Sequence, residues 1–241
     1  MTDYPRAVLD MIGPPENRYA DPAAWARLET QLGTELPADH KTIVDAYAPT
    51  QINGHLQLSH PATPRRTLSE VIRDTSRAWS RTRWERDWTN DPGSDPRLIC
   101  GLRDLAFGTP QGLMPPASPD RRDIIFLAPR VHGFPGGICV ACGDGDWAGH
   151  PMPFAEWLYR FLIGEDMAGY KSAAYYPGPV KLESMPMTPD EHIRVTYGPD
   201  RGMQTWTPRT RRPQGFRVGT AQRVPVALRV RGAREPGSLA A

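Results

Sequence analysis

Cys139-Val-Ala-Cys142 is the first run whose residue types and spacing suggest chemistry, because zinc knuckles and thiol–disulfide enzymes both use this separation of two thiols. A zinc site needs a second pair of ligands, and only Cys100, His132 and His150 offer themselves. A redox motif has to open a helix, whose dipole lowers a thiol pKa, whereas Gly136-Gly137 and Gly143 bound this run as a strand. On a pleated strand the two cysteines lie out of phase, so they read as small buried side chains. Asp144-Gly145-Asp146 has the residues of a calcium loop. It is followed by Trp147-Ala-Gly-His150, however, without the spaced carboxylates and terminal Glu of an EF-hand, and reads as a tight turn. The glycines 133, 136 and 137 after Arg130 lack the strand-to-helix transition that makes a phosphate cradle, and suit a hairpin connection. Neither Leu58-Ser-His-Pro61 nor Ala117-Ser-Pro119 resembles a Gly-x-Ser-x-Gly elbow. The histidines at 40, 55, 60, 132, 150 and 192 are dispersed; a hydrolase or nucleic-acid enzyme would have to draw on His55, His60 and Asp123. No catalytic residue, metal ligand or cofactor is assigned.

The elements that must position these residues are short and separated by ordered turns, in keeping with 27 prolines. Val8, Leu9, Met11 and Ile12 suit a short helix packed on the body. Asp21-Pro22 reads as an N-cap with proline at the first helical position; Trp25, Leu28 and Leu32 then recur on one face until Gly33. After Leu36-Pro37, a second helix from about Asp39 to Tyr47 carries Ile43, Val44 and Tyr47 on one side. Asn53-Gly54 is a tight-turn dipeptide, and His55 to Ser59 alternates with the period of a strand. Thr67 and Glu70 form a capping box for a long helix to about Trp84. Its buried stripe is Leu68, Val71, Ile72, Thr75 and Trp79, with Arg73, Arg77, Arg81 and Arg83 on a solvated face. Asp123 to Leu127 and Ile138 to Cys142 read as neighbouring antiparallel strands. Pro153 opens a final helix in which Phe154, Trp157, Leu158, Phe161 and Leu162 repeat at three and four residues. The fold class that follows is α+β: a single, mainly antiparallel sheet packed with helices, and Trp25, Phe126 and Trp157 in the core.

Several of these runs resemble the SUKH superfamily of cell-wall-assembly regulators and bacterial toxin-immunity proteins. Trp25-Ala-Arg-Leu-Glu29, then Leu32 to Pro37 and Asp39-His-Lys41, is similar to the opening helix, Leu-Pro step and second helix of that family. Gly112-Leu-Met-Pro115 resembles its lead into the central sheet, and Asp120 through Leu127 the turn and strand that follow. Asp144-Gly-Asp-Trp147 and Phe154-Ala-Glu-Trp-Leu158 resemble the terminal strand turn and closing helix. The resemblance spans about Trp25 to Gly164; Trp84 to Leu105 has no matching strand, and nothing after about Met187 belongs to the family core. It implies a non-catalytic domain that neutralises a toxin, or a regulatory scaffold of the same fold with no toxin partner.

Charge divides the chain. Residues 1–198 hold 20 Lys and Arg against 25 Asp and Glu, net −5, whereas 199–241 hold 9 against 2, net +7. The reading is an extension over 1–20, an α+β domain over 21–197 with a docking segment at Ala174 to Val180, and a basic tail over 198–241. With five Pro, five Gly and nine Arg over 199–241, the tail buries too little to order itself, although Val224 to Val230 alternates like an edge strand. An acidic body suits a basic protein partner such as a nuclease toxin; the Arg-rich tail would attract nucleic acid or an anionic surface. Turn acids beside an aromatic supply steering and a desolvated anchor, which selects Glu29, Asp120, Asp144, Asp146 and Trp147 as the partner-binding residues. Three cysteines, no run of about 20 apolar residues and no signal-like start lead to the expectation of a cytoplasmic protein.

Overall fold

Helix starts are encoded locally as caps. In the computed structural model, which describes residues 2–82, 95–119, 123–131, 135–142, 146–167 and 178–200, the Asp3 carboxylate accepts the Arg6 N–H at 3.1 Å to open α1 (Tyr4–Ile12). Asp21 accepts the Ala23 N–H at 2.9 Å to open α2 (Pro22–Leu32), which Gly33 ends in the left-handed conformation. Helix α3 (Ala38–Tyr47) has Pro37 as its N-cap and no side-chain cap. The Thr67–Glu70 capping box forms as its spacing predicts and opens α4 (Leu68–Ser80); Asp95 opens the single turn α5 (Pro96–Ile99). Helix α6 (Phe154–Leu162) starts at Pro153, which offers no side-chain acceptor. A tertiary contact supplies one instead: Asp39, at the start of α3, accepts the Ala155 N–H at 2.7 Å.

Two antiparallel sheets form among the described residues where the sequence predicts one. The first has the order β3 (Ser118–Pro119), β2 (Leu56–Leu58), β1 (Thr50–Ile52), β7 (Lys181–Ser184), β8 (Val195–Tyr197). The second is the meander β4 (Ile124–Ala128), β5 (Gly137–Ala141), β6 (Trp147–His150). Proline divides them. Met114 makes a single antiparallel bridge to Leu127, but Pro115 and Pro116 follow at once and have no N–H with which to extend a ladder. Strand β3 is therefore only two residues long and pairs away from β4, with β2.

Strands β4 and β5 are covered on both faces, which explains their nearly continuous apolar sequence. Ile125, Leu127, Ile138 and Val140 join the larger cluster with Val8, Trp25, Ile43, Leu68 and Trp157. Phe126, Ala128, Cys139 and Ala141 join a smaller one with Cys100, Phe107, Leu113 and Trp147. Trp25, Phe126 and Trp157 are all buried, as their periodicity predicts. Helix α1 contributes Val8, Met11 and Ile12 and lies against α6, with Tyr4 and Tyr159 rings 5.6 Å apart. On α4, Leu68 and Ile72 face inward while Arg73, Arg77 and Arg81 are exposed; Arg83 lies outside the described residues. Glycine is required at 108, where φ is +68° and a Cβ would stand 2.4 Å from Ser76 Oγ on α4. The Val224–Val230 alternation and most of the Ala174–Val180 docking segment also lie outside the described residues; Gly178 to Val180 lead into β7.

Candidate cleft and buried histidine network

Glu29 sets the path of the chain between α2 and α3. Its Oε1 accepts the Leu36 N–H at 2.9 Å and the Lys41 ammonium at 2.7 Å. Burial opposes ionisation of Glu29, but Lys41 and the Leu36 N–H outweigh it and hold the carboxyl below its usual range. The turn fixed in this way, Thr34 to Pro37, forms one wall of an open cleft of about 730 Å³. Pro129, Arg130 and Pro135 to Gly137 of the β4–β5 hairpin and the start of α6 form the others. Met114, Leu127, Met152 and Phe154 lie along it, and Pro37, Pro110, Pro129, Pro135, Pro151 and Pro153 stiffen its rim. Its charged groups are Glu35, Asp39 and Arg130, of which Asp39 is already committed to α6. Among the described residues, no histidine, cysteine, serine or lysine lines the cleft.

The chemistry-bearing side chains lie elsewhere, in the core. Asp45 Oδ1 accepts from Trp25 Nε1 and from His60 Nε2, each at 2.8 Å. The Ala62 N–H donates to His60 Nδ1 at 3.0 Å, so that nitrogen is unprotonated and the ring is the neutral Nε2–H tautomer. Burial pushes His60 below the usual imidazole range, and Asp45 opposes this incompletely. Both ring nitrogens are engaged, which leaves neither to take a proton from a substrate. His40 stands edge-on between Trp25 and Phe154 with Nε2 3.3 Å from the Pro116 carbonyl, and burial pushes it down to about 4. Its Nδ1 is buried without a protein hydrogen-bond partner.

Cys100 and Cys139 meet in the smaller cluster, where burial first and then the Cys100 contact push the Cys139 thiol well up. Cys142 packs on the larger cluster, so the two cysteines of the run do face apart. Among the described residues there is no disulfide and no group of three side chains able to hold a metal ion.

Of the residues selected from the sequence for partner binding, Glu29 is drawn into the α2–α3 turn. Trp147 is 5% exposed, packed edge-on against Trp79 at 5.5 Å and stacked near Phe126 at 5.9 Å. Asp146 is exposed at the start of β6, its carbonyl accepting the Cys142 N–H at 2.7 Å. Asp120 and Asp144 lie outside the described residues. Sequence reasoning missed the cleft, because its wall residues are scattered from 34 to 154. It also missed an exposed apolar stripe along β8 and its lead-in, Ile193, Val195 and Tyr197, although their alternate spacing is visible in His192 to Tyr197. No helix among the described residues is long and apolar enough to cross a membrane. No family model, curated protein or solved structure matches the chain.

Proposed function

We propose that the chain is a non-catalytic protein-recognition domain that receives an apolar segment of its partner in the cleft between the α2–α3 turn and the β4–β5 hairpin. One observation carries this reading: the cleft combines an adaptable Met114, Met152 and Phe154 surface with six prolines among its lining residues. Proline walls lose little conformational entropy on binding, and methionine adapts to the shape of an apolar anchor. Following the SUKH resemblance, the partner is a basic toxin domain and the chain its immunity protein. The net −5 of residues 1–198 supports this through faster encounter, with Asp120, Asp144 and Asp146 as the steering acids.

The test is to identify the neighbouring reading frame, which this reading requires to encode a polymorphic toxin, and then to co-express the two and titrate the proteins calorimetrically. Growth should be rescued, and Met152→Arg, which puts a like charge where the toxin's apolar anchor would sit, should weaken binding by about tenfold or more. Asp146→Lys should instead slow association at low salt with little change in dissociation. Persistent growth arrest with no measurable binding would remove the immunity reading.

A further inference from the structure

Strand β8 has the polarity of its sheet reversed. Register places Leu56, Ile52, Leu182 and Thr196 in one row, and Gln57, Gln51, Glu183 and Val195 in the next. Leu56 and Ile52 are buried, so the first row faces the core and Val195 faces outward. At every other strand of this sheet the outward residue of that row is polar; at β8 it is apolar, and Thr196, in the row that faces the core elsewhere, is itself exposed. Ile193, Val195 and Tyr197 share the outward face and are 66%, 45% and 66% exposed. Singly exposed apolar residues need no explanation, but three at alternate positions along β8 and its lead-in do.

The main chain of the same residues faces the open edge. The Ser184 N–H donates to the Arg194 carbonyl at 2.9 Å and the Gly198 N–H to the Val180 carbonyl at 2.8 Å. Antiparallel pairing alternates, so Arg194, Thr196 and Gly198 turn their peptide groups toward β7, and Val195 and Tyr197 turn theirs away from it. Among the described residues, strand β8 is the last of its sheet. Its outer side thus offers a ladder of donors and acceptors beside an apolar stripe, the two requirements for adding a strand.

We propose that this edge joins two copies of the chain, β8 pairing antiparallel with β8 of the second copy and Val195 opposite its counterpart. The pattern selects a second copy because it is symmetric about Val195. A two-fold axis normal to the sheet sets Ile193 against Tyr197 of the other copy and keeps all six apolar side chains on one face. It also sets Arg194 against Thr196, so no like charges are opposed, and Arg194 is already held by Glu16 at 2.8 and 2.9 Å. The neighbouring Lys181 and Glu183 pair with each other. A joint of this length is small, which places the dimer at the weak end of specific association, with a Kd on the order of micromolar. The inference is independent of the toxin reading.

Sedimentation velocity on the full chain, from about 1 to 100 μM to bracket that Kd, should show a reversible monomer–dimer equilibrium. Val195→Lys and Val195→Glu should each weaken self-association by about tenfold or more, since each opposes two like charges across the axis. An equimolar mixture of the two variants should restore dimers, because the axis then sets Lys against Glu. Val195→Pro should also abolish dimers, as it removes only an N–H that β7 does not use. Circular dichroism and thermal unfolding establish that the variants are folded; if they are not, Ile193→Lys, outside the β7–β8 ladder, sets a charge against Tyr197 of the other copy and should itself weaken self-association. A chain that stays monomeric at every concentration overturns the proposal. So do dimers indifferent to charge at 195, or folded variants whose mixture stays monomeric.

Discussion

His40 and His60 are the residues that ordinary chemical intuition would send to an active site, and the fold uses them as core polar groups. Each is buried, and each is neutral because burial outweighs the groups that would favour its cation. In the unfolded chain His40 titrates near 6.5, whereas in the folded protein it is pushed down to about 4. As pH falls below 6.5 the unfolded state therefore binds a proton that the folded state refuses. The stability tied to His40 is whole above about 6.5 and is lost as pH falls toward 4, amounting to about 3 kcal/mol in all. Urea unfolding measured between pH 7 and 4 should show this loss, and His40→Leu should flatten the profile there while lowering stability at pH 7, since it leaves the Pro116 carbonyl without its donor.

At the scale of elements, caps made by neighbours in sequence behave differently from those made by the fold. Thr67 caps α4 from three residues away, and its spacing from Glu70 predicts the helix start correctly. Asp39 caps α6 from 116 residues away, and nothing around Pro153 in the sequence reports it. Thr67→Ala should cost about 1 kcal/mol, chiefly by fraying the first turn of α4. Asp39→Ala should cost a similar amount, but it should also increase hydrogen exchange at Ala155 and at the facing start of α3, because it parts two helices rather than one turn. Thermal unfolding with amide exchange at these positions distinguishes the two. The division into two sheets has the same local-against-distant character. Alternation within a strand says which residues pair, but Pro115 and Pro116 decide where pairing stops.

At the scale of the whole molecule, the first sheet closes only when residues 181–197 return to it. Strand β7 pairs with β1 and so sits between the N-terminal hairpin and β8, while Arg18–Glu191 and Arg194–Glu16 tie the β7–β8 region to the segment after α1. Gly198 packs so closely on α1 that a Cβ there would stand 2.6 Å from the Met11 carbonyl. A chain ending after Asp200 should therefore stay monodisperse at low concentration and unfold cooperatively near the full-length temperature. One ending after Met167 should aggregate, since removing β7 leaves β1 as an unpaired edge beside buried Ile52. Light scattering and a thermal melt of each truncation check both outcomes.

Sequence by itself determined the longer helices and much of their inward faces; the single turn α5 and the burial of Ser76 on α4 were not among them. Period and capping act over three or four residues, so Trp25, Leu28, Ile43, Trp157 and Phe161 could be assigned inward before any contact was known. It determined as well that β4 and β5 form an antiparallel hairpin, while the covering of both its faces came only with the packing. Only the tertiary structure decided that β7 and β8 complete the first sheet, that Glu29 closes a turn and that His60 meets Asp45. It also assembled the cleft from walls more than a hundred residues apart. These are pairings across long stretches of chain, and which partners meet depends on how the helices and sheets pack rather than on any pattern in the residues between them.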